Sequence, residues 1–405
     1  MKLALVVQRY GADIAGGSEG HCRALALRLS RSAGQIDARP AHDVTVLTTC
    51  ARDYVTWRNA HAAGESRDGH VRVLRFPVAR PRRLKRFADL SDEVFDGGAP
   101  PSRQHDWFRE NGPDAPALLD YLSARGGDYD LVLFWTFRYA TSYFGLPLVA
   151  ERAVLLPTAE DDPAIRLDVL ESFFRKPAGY LFLTPEERSL VGARAGQLPQ
   201  PSATIGTGLD PAGPQPDFHM LHERGIDGDY LLYLGRIDRN KGCRTLFEYY
   251  EAAAEDIPHL PPLFLAGPAT MPVPRHPRIR ALGYVPDALR EALLGRARAL
   301  VIPSRYESLS LVLLEGWNHA VPALVNGECA VLDGQVRRAN GGLSYRSAAE
   351  FREALEYLAT HAAARDQFGR QGRSYVDREY RWPTVLARVQ AVLDAVASSR
   401  GARSG

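Results

Sequence analysis

The chain has 405 residues, of which 45% are hydrophobic and 24% are charged, and its formal net charge is +2. This length predicts two domains of ordinary size, and this composition is typical of a globular protein with substantial hydrophobic cores. Because the net charge is close to zero, no global field attracts nucleic acid or an anionic membrane, so any phosphate must be bound by locally placed charges.

The N-terminus and the cysteines predict a cytoplasmic protein. The stretch from Met1 to Arg9 contains an apolar run too short for a signal peptide or a membrane span, and no later run reaches membrane length. The cysteines lack metal-ligand spacing, and a chain of this size does not need disulfides for stability. We therefore expect reduced thiols at Cys22, Cys50, Cys243 and Cys329.

Short β-branched runs alternate with helical patterns, as in the βαβ units of parallel sheets. The run Leu131–Trp135 is hydrophobic throughout, which predicts a central strand buried on both faces. The pattern restarts in the second half, so two doubly wound α/β domains are predicted. The predicted strands are residues 3–8, 44–48, 71–76, 131–135, 153–156 and 180–183, followed by 230–234, 263–266, 299–302 and 323–326.

Three further segments complete the predicted organisation. Residues 206–216 are dense in glycine and proline, which predicts a connection between domains 1–207 and 208–381. Residues 80–104 are poorly patterned and are predicted as loop with a short helix. Trp382-Pro383 opens a last helix, in which valines recur at helical spacing. These valines are Val385, Val389, Val392 and Val396.

Four segments with chemically useful side chains follow predicted strands, where the loops of an open α/β sheet bind ligands. The first, Gly16-Gly17-Ser18-Glu19, opens a helix after the first strand. Two glycines let the backbone approach a ligand, and the free N–H groups of a helix start attract an anion. The alternative is a simple turn with Ser18 as the helix cap.

The second segment, Gly235 to Gly242, follows the first strand of the second domain and carries Arg236 and Lys241. A planar guanidinium and a compact ammonium suit the two phosphates of one diphosphate. A charge-assisted hydrogen bond contributes about 1.5–3 kcal/mol and a helix dipole only about 0.3–1 kcal/mol, so the side chains should dominate the affinity. The alternative is a basic surface turn.

The third segment, Glu307 to Glu315, places two carboxylates on either side of a largely apolar stretch. If a helix begins near Ser308 or Leu309, Glu315 lies about two turns into it and Glu307 lies at its mouth. One carboxylate would then accept hydrogen bonds from sugar hydroxyls and the other from a ribose. The alternative is a capped helix with one stray buried acid.

Together these segments resemble the retaining glycosyltransferases of family 4, which have the GT-B fold, an α/β architecture of two doubly wound Rossmann-like domains facing a central cleft. The resemblance spans nearly the whole chain, from Gly16-Gly17 to the helix at Trp382. Its most specific elements are the G-R-x4-K-G loop at 235–242 and the E-x7-E element at 307–315, in the expected order and spacing.

The resemblance implies a nucleotide-sugar donor in the second domain and a glycan or small-molecule acceptor in the first, to which the last helix crosses back. Arg236 and Lys241 would bind the diphosphate, Glu315 the ribose and Glu307 the transferred sugar, with nucleobase contacts near Val285. The implied catalytic residues are Glu307, Glu160, Arg236 and Lys241; the donor-binding residues are Gly16, Gly17, Gly235, Arg236, Lys241, Val285, Ser308, Leu309, Ser310 and Glu315; Glu19 and Asp161 lie on the acceptor side.

The fourth segment is where the chain departs from the family. Members carry a histidine that contacts the transferred sugar after the strand at 153–156, and Glu160 aligns with it. An ionised carboxylate only accepts hydrogen bonds, so Glu160 would recognise hydroxyls, or an amine on the donor or acceptor. Ser308 and Ser310 also stand where glycine is usual in the family.

Acidic clusters raise the question of a metal. Glu160, Asp161 and Asp162 offer oxygen ligands for a divalent cation. The basic side chains of the 235–242 loop already supply the positive charge that a leaving diphosphate needs, so no metal and no cofactor are predicted. Asp-x-Asp sequences at 128–130 and 227–229 precede strands, on the wrong edge of the sheet, and are predicted to be turns.

Arg80 to Arg86 is the one local basic cluster, and one interpretation is weak peripheral docking at an anionic membrane. The alternative is a solvated loop whose charge is balanced by Asp89, Asp92 and Glu93. The oligomeric state is left open.

For the family, the implied reaction retains the anomeric configuration, and the departing phosphate oxygen takes the proton of the acceptor, so no protein nucleophile is needed. Two rivals stay open: a sugar-nucleotide epimerase of the same fold, and a non-catalytic carbohydrate-binding subunit. A NAD-dependent dehydrogenase is disfavoured because no G-x-G-x-x-G follows the first strand.

Overall fold

The structure is a computed structural model that describes residues 1–14, 16–30, 42–213 and 218–404, and the side chains of these up to residue 400. The chain folds into two compact units, each of which has its own dense set of internal contacts. Unit 1 comprises Met1–Gly208 and the segment from Trp382 onward, and unit 2 comprises Leu209–Arg381. The boundary lies one residue after the predicted one. Residues 214–216 of the predicted connection lie outside the described residues.

Each unit is built on one sheet of mainly parallel strands. The strands are β1 (Lys2–Val6), β2 (Asp43–Thr49), β3 (Gly64–Asp68), β4 (Val71–Phe76), β5 (Leu131–Trp135), β6 (Ala153–Leu156), β7 (Gly179–Phe182) and β8 (Ser202–Thr204) in unit 1, and β9 (Leu231–Leu234), β10 (Leu263–Ala266), β11 (Ile279–Gly283), β12 (Ala299–Ile302), β13 (Ala323–Asn326) and β14 (Gly342–Tyr345) in unit 2. The orders are β3-β4-β2-β1-β5-β6-β7-β8 and β11-β10-β9-β12-β13-β14. Among the pairs of strands named above, only β3–β4 is antiparallel.

Helices connect the parallel strands. They are α1 (Gly17–Leu29), α2 (Leu84–Phe95), α3 (Pro101–Asn111), α4 (Pro116–Arg125), α5 (Ala140–Gly145), α6 (Val169–Phe173), α7 (Pro185–Ala195), α8 (His219–His222), α9 (Cys243–Asp256), α10 (Asp287–Arg296), α11 (Leu311–Asn318), α12 (Ala330–Ala339), α13 (Ala348–Thr360), α14 (Ala362–Glu379) and α15 (Trp382–Ser404). The alternation of strands and helices and the order of the strands in both sheets confirm the predicted class, two doubly wound α/β domains.

Both faces of the unit 1 sheet are covered, as parallel sheets require. Every residue of β5 is buried, which confirms the central strand predicted from its continuous hydrophobicity. On one face, Leu133 belongs to the same core cluster as Leu25 of α1 and Val389 of α15. The four valines at helical spacing in α15 therefore lie on the face of this helix that packs into the core of unit 1.

The structure differs from the prediction over residues 80–104 and in the strands β3, β8, β11 and β14, which the sequence did not predict. Residues 80–104 contain the twelve-residue helix α2 and the start of α3 instead of a loop with a short helix. Only Leu90 and Val94 of α2 are buried, so the apolar periodicity is sparse. Strand β3 was missed because all five of its residues are polar or glycine, and its exposed edge position needs no apolar face.

Candidate functional site

The central strands of unit 2 bring two of the predicted segments together. β9 and β12 are parallel neighbours, and the strand order reverses between them. Chain segments leaving such a pair diverge to opposite sides of the sheet, and ligands bind at the opening beyond the strand ends. The loop 235–242 follows β9, and the segment 303–310 follows β12. The predicted diphosphate and sugar contacts therefore share one switch point.

Asp238 organises the loop over 235–242. Its carboxylate accepts a hydrogen bond from the backbone N–H of Lys241 at 2.8 Å and lies 3.4 Å from a guanidinium nitrogen of Arg236. Asp238 is buried, whereas 44% of the Arg236 side chain is exposed. The two residues predicted to bind a diphosphate are thus attached to one carboxylate, and Arg236 stays accessible to an anion.

Gly242 allows this loop to contact the segment after β12. It caps α9 in the left-handed conformation, with φ of 75°. A Cβ atom at this position would lie 2.1 Å from the carbonyl oxygen of Pro303, which is far inside van der Waals contact. Glycine is therefore required here for both its conformation and its size.

Lys241 and Glu307 form an ion pair across the two segments. The ammonium nitrogen lies 2.7 Å from a carboxylate oxygen, and the side chains are 30% and 13% exposed. Lysine has three donors, so Lys241 can keep this bond and also donate to a ligand oxygen. Arg236, Lys241 and Glu307, which the sequence assigns to one reaction, therefore belong to one connected cluster, which we call the unit 2 cluster.

The helix predicted to begin near Ser308 or Leu309 begins later. α11 spans Leu311–Asn318, so Glu315 lies about one turn into the helix instead of two. Ser310 caps it with φ of 67°, a left-handed conformation that costs a non-glycine residue about 1–2 kcal/mol. This conformation explains physically why glycine is usual at this position in the resembled family. Leu309 is buried, and its carbonyl oxygen accepts a hydrogen bond from Gln335.

Glu315 has a cationic partner of its own. Its carboxylate lies 2.7 Å from the guanidinium of Arg290 on α10, and that guanidinium also lies 3.7 Å from Glu291. Burial raises the pKa of the Glu315 carboxyl, and the neighbouring Arg290 opposes this shift. Sequence reasoning missed Arg290, although it stands on the helix that directly follows the turn at 283–286. Any ribose hydroxyl bound by Glu315 would meet an oriented carboxylate.

The turn after β11 lies at the same edge of the sheet. The backbone N–H of Gly267 donates to the carbonyl of Gly283 at 2.8 Å, and Gly235 donates to Ala266 at 2.9 Å, which joins the three loop starts. Val285 is half-buried, and the preceding Tyr284 is 80% exposed. Such an exposed ring offers a flat apolar surface beside the predicted nucleobase position.

The glycine segment of unit 1 carries a buried ion pair that the sequence did not reveal. Gly16 caps α1, which begins at Gly17. Glu19, predicted on the acceptor side, accepts two hydrogen bonds from Arg9, at 2.9 and 2.5 Å, and both residues are at most 6% exposed. Glu19 therefore orients Arg9, which also donates to the carbonyl of Arg52 at 2.9 Å.

The acidic residues after β6 have separate environments. Asp161 is exposed and pairs with Arg166 at 2.6 Å, whereas Asp162 is buried and pairs with Arg138. Glu160 is half-buried. Within the described residues, no group of three or more His, Cys, Asp or Glu side chains is arranged to hold a metal ion.

Glu187 holds the backbone of the segment that carries Glu160. One of its carboxylate oxygens accepts the N–H of Ala159 at 2.7 Å, and the other accepts the N–H of Leu183 at 2.5 Å. Glu187 is fully buried in the first turn of α7, where Thr184 caps the helix. Burial raises the pKa of the Glu187 carboxyl to about 8, although the backbone N–H donors oppose this rise.

We expect Glu187→Gln to change the pH dependence of stability. A carboxyl whose pKa rises from 4.5 to about 8 on folding binds more protons when folded, so its contribution is present below pH 4.5 and is lost as pH approaches 8. The free energy of unfolding of the wild type should therefore fall across this window by a few kcal/mol more than that of the variant, since one pKa unit is about 1.4 kcal/mol. Denaturant unfolding of both proteins at several pH values measures this difference; parallel profiles would contradict it.

The basic cluster at 80–86 is balanced, but by a residue other than the predicted ones. The buried carboxylate of Glu110 lies 2.7 Å from Arg83, 3.2 Å from Arg80 and 3.5 Å from Arg86. Burial tends to raise the pKa of Glu110, but hydrogen bonds from Arg83 and Arg80 outweigh it and lower this pKa to about 2. Contact of this cluster with a membrane stays a prediction.

Each aspartate of the two Asp-x-Asp sequences has a partner within the protein, two of them nearby in sequence and two from distant segments. Their partners are Arg125 for Asp128, the Lys2 backbone N–H for Asp130, His222 for Asp227 and Arg298 for Asp229. All four cysteines are free and buried. In the described part of the chain, none of the helices combines the length and the apolar character needed to cross a membrane.

Part of unit 2 is similar to a family of known proteins. Residues 228–361 match the family model of the glycosyl transferases group 1, a stretch that includes both the 235–242 loop and the 307–315 element. O-antigen chain mannosyltransferase B of Escherichia coli is 34% identical over 105 residues, which cover 24% of this chain and 28% of that protein. The match thus spans little more than a quarter of the length of this curated relative.

Solved structures match nearly the whole chain. Sucrose-phosphate synthase from Thermosynechococcus elongatus has a TM-score of 0.70 at 17% identity, covering 98% of this chain and 99% of that one. Anabaena HepE in complex with UDP-glucose has a TM-score of 0.65 at 13% identity, covering 98% and 100%. At such identities the likeness shows the fold. The chain therefore has the GT-B fold, and the match of residues 228–361 to the group 1 glycosyl transferases supports a glycosyltransferase activity.

Proposed function

We propose that this protein is a glycosyltransferase that moves a sugar from a nucleoside diphosphate sugar to an acceptor. The observation that carries this proposal is the unit 2 cluster at the switch point of the sheet, in which Lys241 pairs with Glu307 across two loops and Asp238 connects Arg236 to the backbone of Lys241. A diphosphate needs the cations, and a sugar needs the hydrogen-bond acceptor. The match of residues 228–361 to group 1 glycosyl transferases supports the same assignment.

In this proposal Lys241 donates to a phosphate oxygen while it remains bonded to Glu307. The accessible guanidinium of Arg236 binds the second phosphate, and Glu307 accepts hydrogen bonds from hydroxyls of the transferred sugar. Glu315, oriented by Arg290, accepts from the ribose. Stabilisation of charge on the leaving diphosphate by such preorganised donors is the largest contribution that these residues can make to the rate.

We assign the acceptor to unit 1, with Glu160 as a hydrogen-bond acceptor for its hydroxyls or for an amine. The support is that Glu187 fixes the backbone next to Glu160. Buried, hydrogen-bonded backbone of this kind preorganises a side chain for a ligand.

We further propose a retaining, metal-independent reaction. Arg236 and Lys241 supply the positive charge that a divalent cation supplies in other transferases, and the departing phosphate oxygen accepts the proton of the acceptor hydroxyl. The resemblance of the two motifs to those of family 4 is the basis for proposing retention. Comparing the anomeric configuration of donor and product by NMR tests the first point, and activity in the presence of EDTA tests the second.

A panel of nucleotide sugars, including UDP-glucose and GDP-mannose, tests the proposed function. The correct donor should raise the melting temperature of the wild type, because binding to the folded state stabilises it. Release of nucleoside diphosphate should then depend on an added acceptor. Conversion of the donor without any acceptor would indicate an epimerase instead, and no stabilisation by any member of the panel would contradict the proposal.

A further inference from the structure

Unit 1 contains a polar cavity that none of the predicted site residues lines. Its volume is about 390 Å³, and it lies between the loop after β1 and the β3–β4 pair. Polar side chains form much of its wall, among them Tyr10, Asp13, His61, Ser66, Asp68 and Arg75. A cavity of this size can hold a sugar-sized ligand, and walls so rich in polar groups favour a ligand with many hydroxyls.

The carboxylates in the wall already have cationic partners. Asp68 accepts two hydrogen bonds from Arg23, at 2.7 and 3.1 Å, and one from the hydroxyl of Tyr10 at 3.1 Å. Asp13 lies 3.2 Å from Arg52. These charges are therefore neutralised within the protein, and the remaining lone pairs of the carboxylates can accept hydrogen bonds from sugar hydroxyls.

The cation Arg75 in the same wall has no carboxylate partner of this kind. Its guanidinium donates to the hydroxyl oxygen of Ser66 at 2.6 Å and to the carbonyl oxygen of Tyr10 at 3.0 Å, both of which are neutral. Its Nε is buried without a hydrogen-bond partner. No described carboxylate lies within ion-pair distance of Arg75, so its charge is not neutralised by a direct partner. His61 also has a buried Nε2 without a hydrogen bond, with Asp13 4.0 Å away.

We propose that this cavity binds a saccharide carrying an anionic group, a carboxylate or a phosphate, and that Arg75 is the counter-ion. This inference rests on the proposed function, since it identifies the ligand as the acceptor. The anion would supply the counter-charge that Arg75 lacks and accept hydrogen bonds from its terminal guanidinium nitrogens, while Asp13 and Asp68 accept hydrogen bonds from the hydroxyls. A neutral sugar leaves the guanidinium uncompensated and should bind more weakly.

Saturation-transfer NMR with glucuronic acid, glucose 6-phosphate and glucose tests the proposal. We expect wild-type protein to bind at least one anionic probe about tenfold more tightly than glucose, consistent with one charge-assisted hydrogen bond. Arg75→Gln should remove this preference, and Arg75→Lys, which keeps the charge, should retain part of it. Arg58→Gln, which removes an exposed charge outside the cavity, should change nothing. Circular dichroism verifies that each variant is folded.

Preference for glucuronic acid identifies a carboxylate ligand, and preference for glucose 6-phosphate identifies a phosphate. Equal affinity for the three probes, no binding of any probe, or unchanged binding by Arg75→Gln and Arg75→Lys would overturn the proposal. Loss of binding in Lys241→Ala would also overturn it, because the anion would then occupy the unit 2 cluster. Nucleotide sugars should still raise the melting temperature of Arg75→Gln. A wrong assignment of the cavity can therefore be distinguished from a wrong assignment of the glycosyltransferase function.

Discussion

Replacing Lys241 with alanine is expected to lower kcat/KM for the sugar donor by about 100- to 1000-fold, the effect of removing one preorganised donor to a developing negative charge. The ammonium of Lys241 is the compact charge in the unit 2 cluster, and it is held in place 2.7 Å from Glu307. Alanine removes the donor to the leaving diphosphate and also frees Glu307 from its partner. Steady-state kinetics with the donor identified by the thermal screen measures the loss.

Arg239→Ala is the matched control for this experiment. Arg239 is an exposed basic residue of the same loop, two positions before Lys241. Its removal changes the net charge equally and should leave kcat/KM within about twofold of the wild type. An equal loss in both variants would show that the loop acts only through its general charge, and retained activity in Lys241→Ala would refute the assignment.

Gly242→Ala is expected to destabilise unit 2 by several kcal/mol and to abolish donor binding. The left-handed φ of 75° alone costs alanine about 1–2 kcal/mol. The added Cβ would also approach the Pro303 carbonyl to 2.1 Å, so the loop after β9 must separate from the segment after β12. That separation moves Lys241 away from Glu307. Denaturant unfolding and thermal shift with the donor measure the two effects.

The control variant Gly225→Ala measures the loss of stability caused by a positive φ alone, without the steric contact that Gly242→Ala adds. Gly225 also has a positive φ, 61°, but a Cβ there would meet no atom within 4 Å. We expect this variant to lose only about 1 kcal/mol and to keep its response to the donor. If both glycine variants bound donor normally, close contact between the two loops would not matter for the site.

Much of the fold could be predicted from the sequence because parallel sheets impose a strong pattern. Buried strands such as β5, β6 and β10 are short, fully apolar and followed by glycine, proline or a polar turn, and their bounds agree with the predicted ones. Edge strands carry no such signal. β3 is almost entirely exposed, and β8 has only three residues, so neither produces a recognisable alternation.

The candidate site was predictable where its residues lie close together in sequence. Arg236 and Lys241 share one loop, and Glu307 follows a strand whose position was clear. The partners contributed by distant segments were not predictable. Arg9, Glu187 and Arg290 contact predicted site residues or their backbone neighbours only because the fold brings distant segments together. A single arginine or glutamate does not form a sequence motif that would reveal such a contact. The start of α11 was misjudged because the left-handed turn at a serine is not encoded by apolar periodicity.

The position of a bound nucleoside diphosphate tests the central claim most directly. A crystal structure of the protein with the nucleoside diphosphate of its donor should place phosphate oxygens about 2.7–2.9 Å from the ammonium of Lys241 and the guanidinium of Arg236, as in other charge-assisted hydrogen bonds. The ribose should lie against Glu315. A nucleotide bound elsewhere, with its phosphates away from both Lys241 and Arg236, would contradict the account.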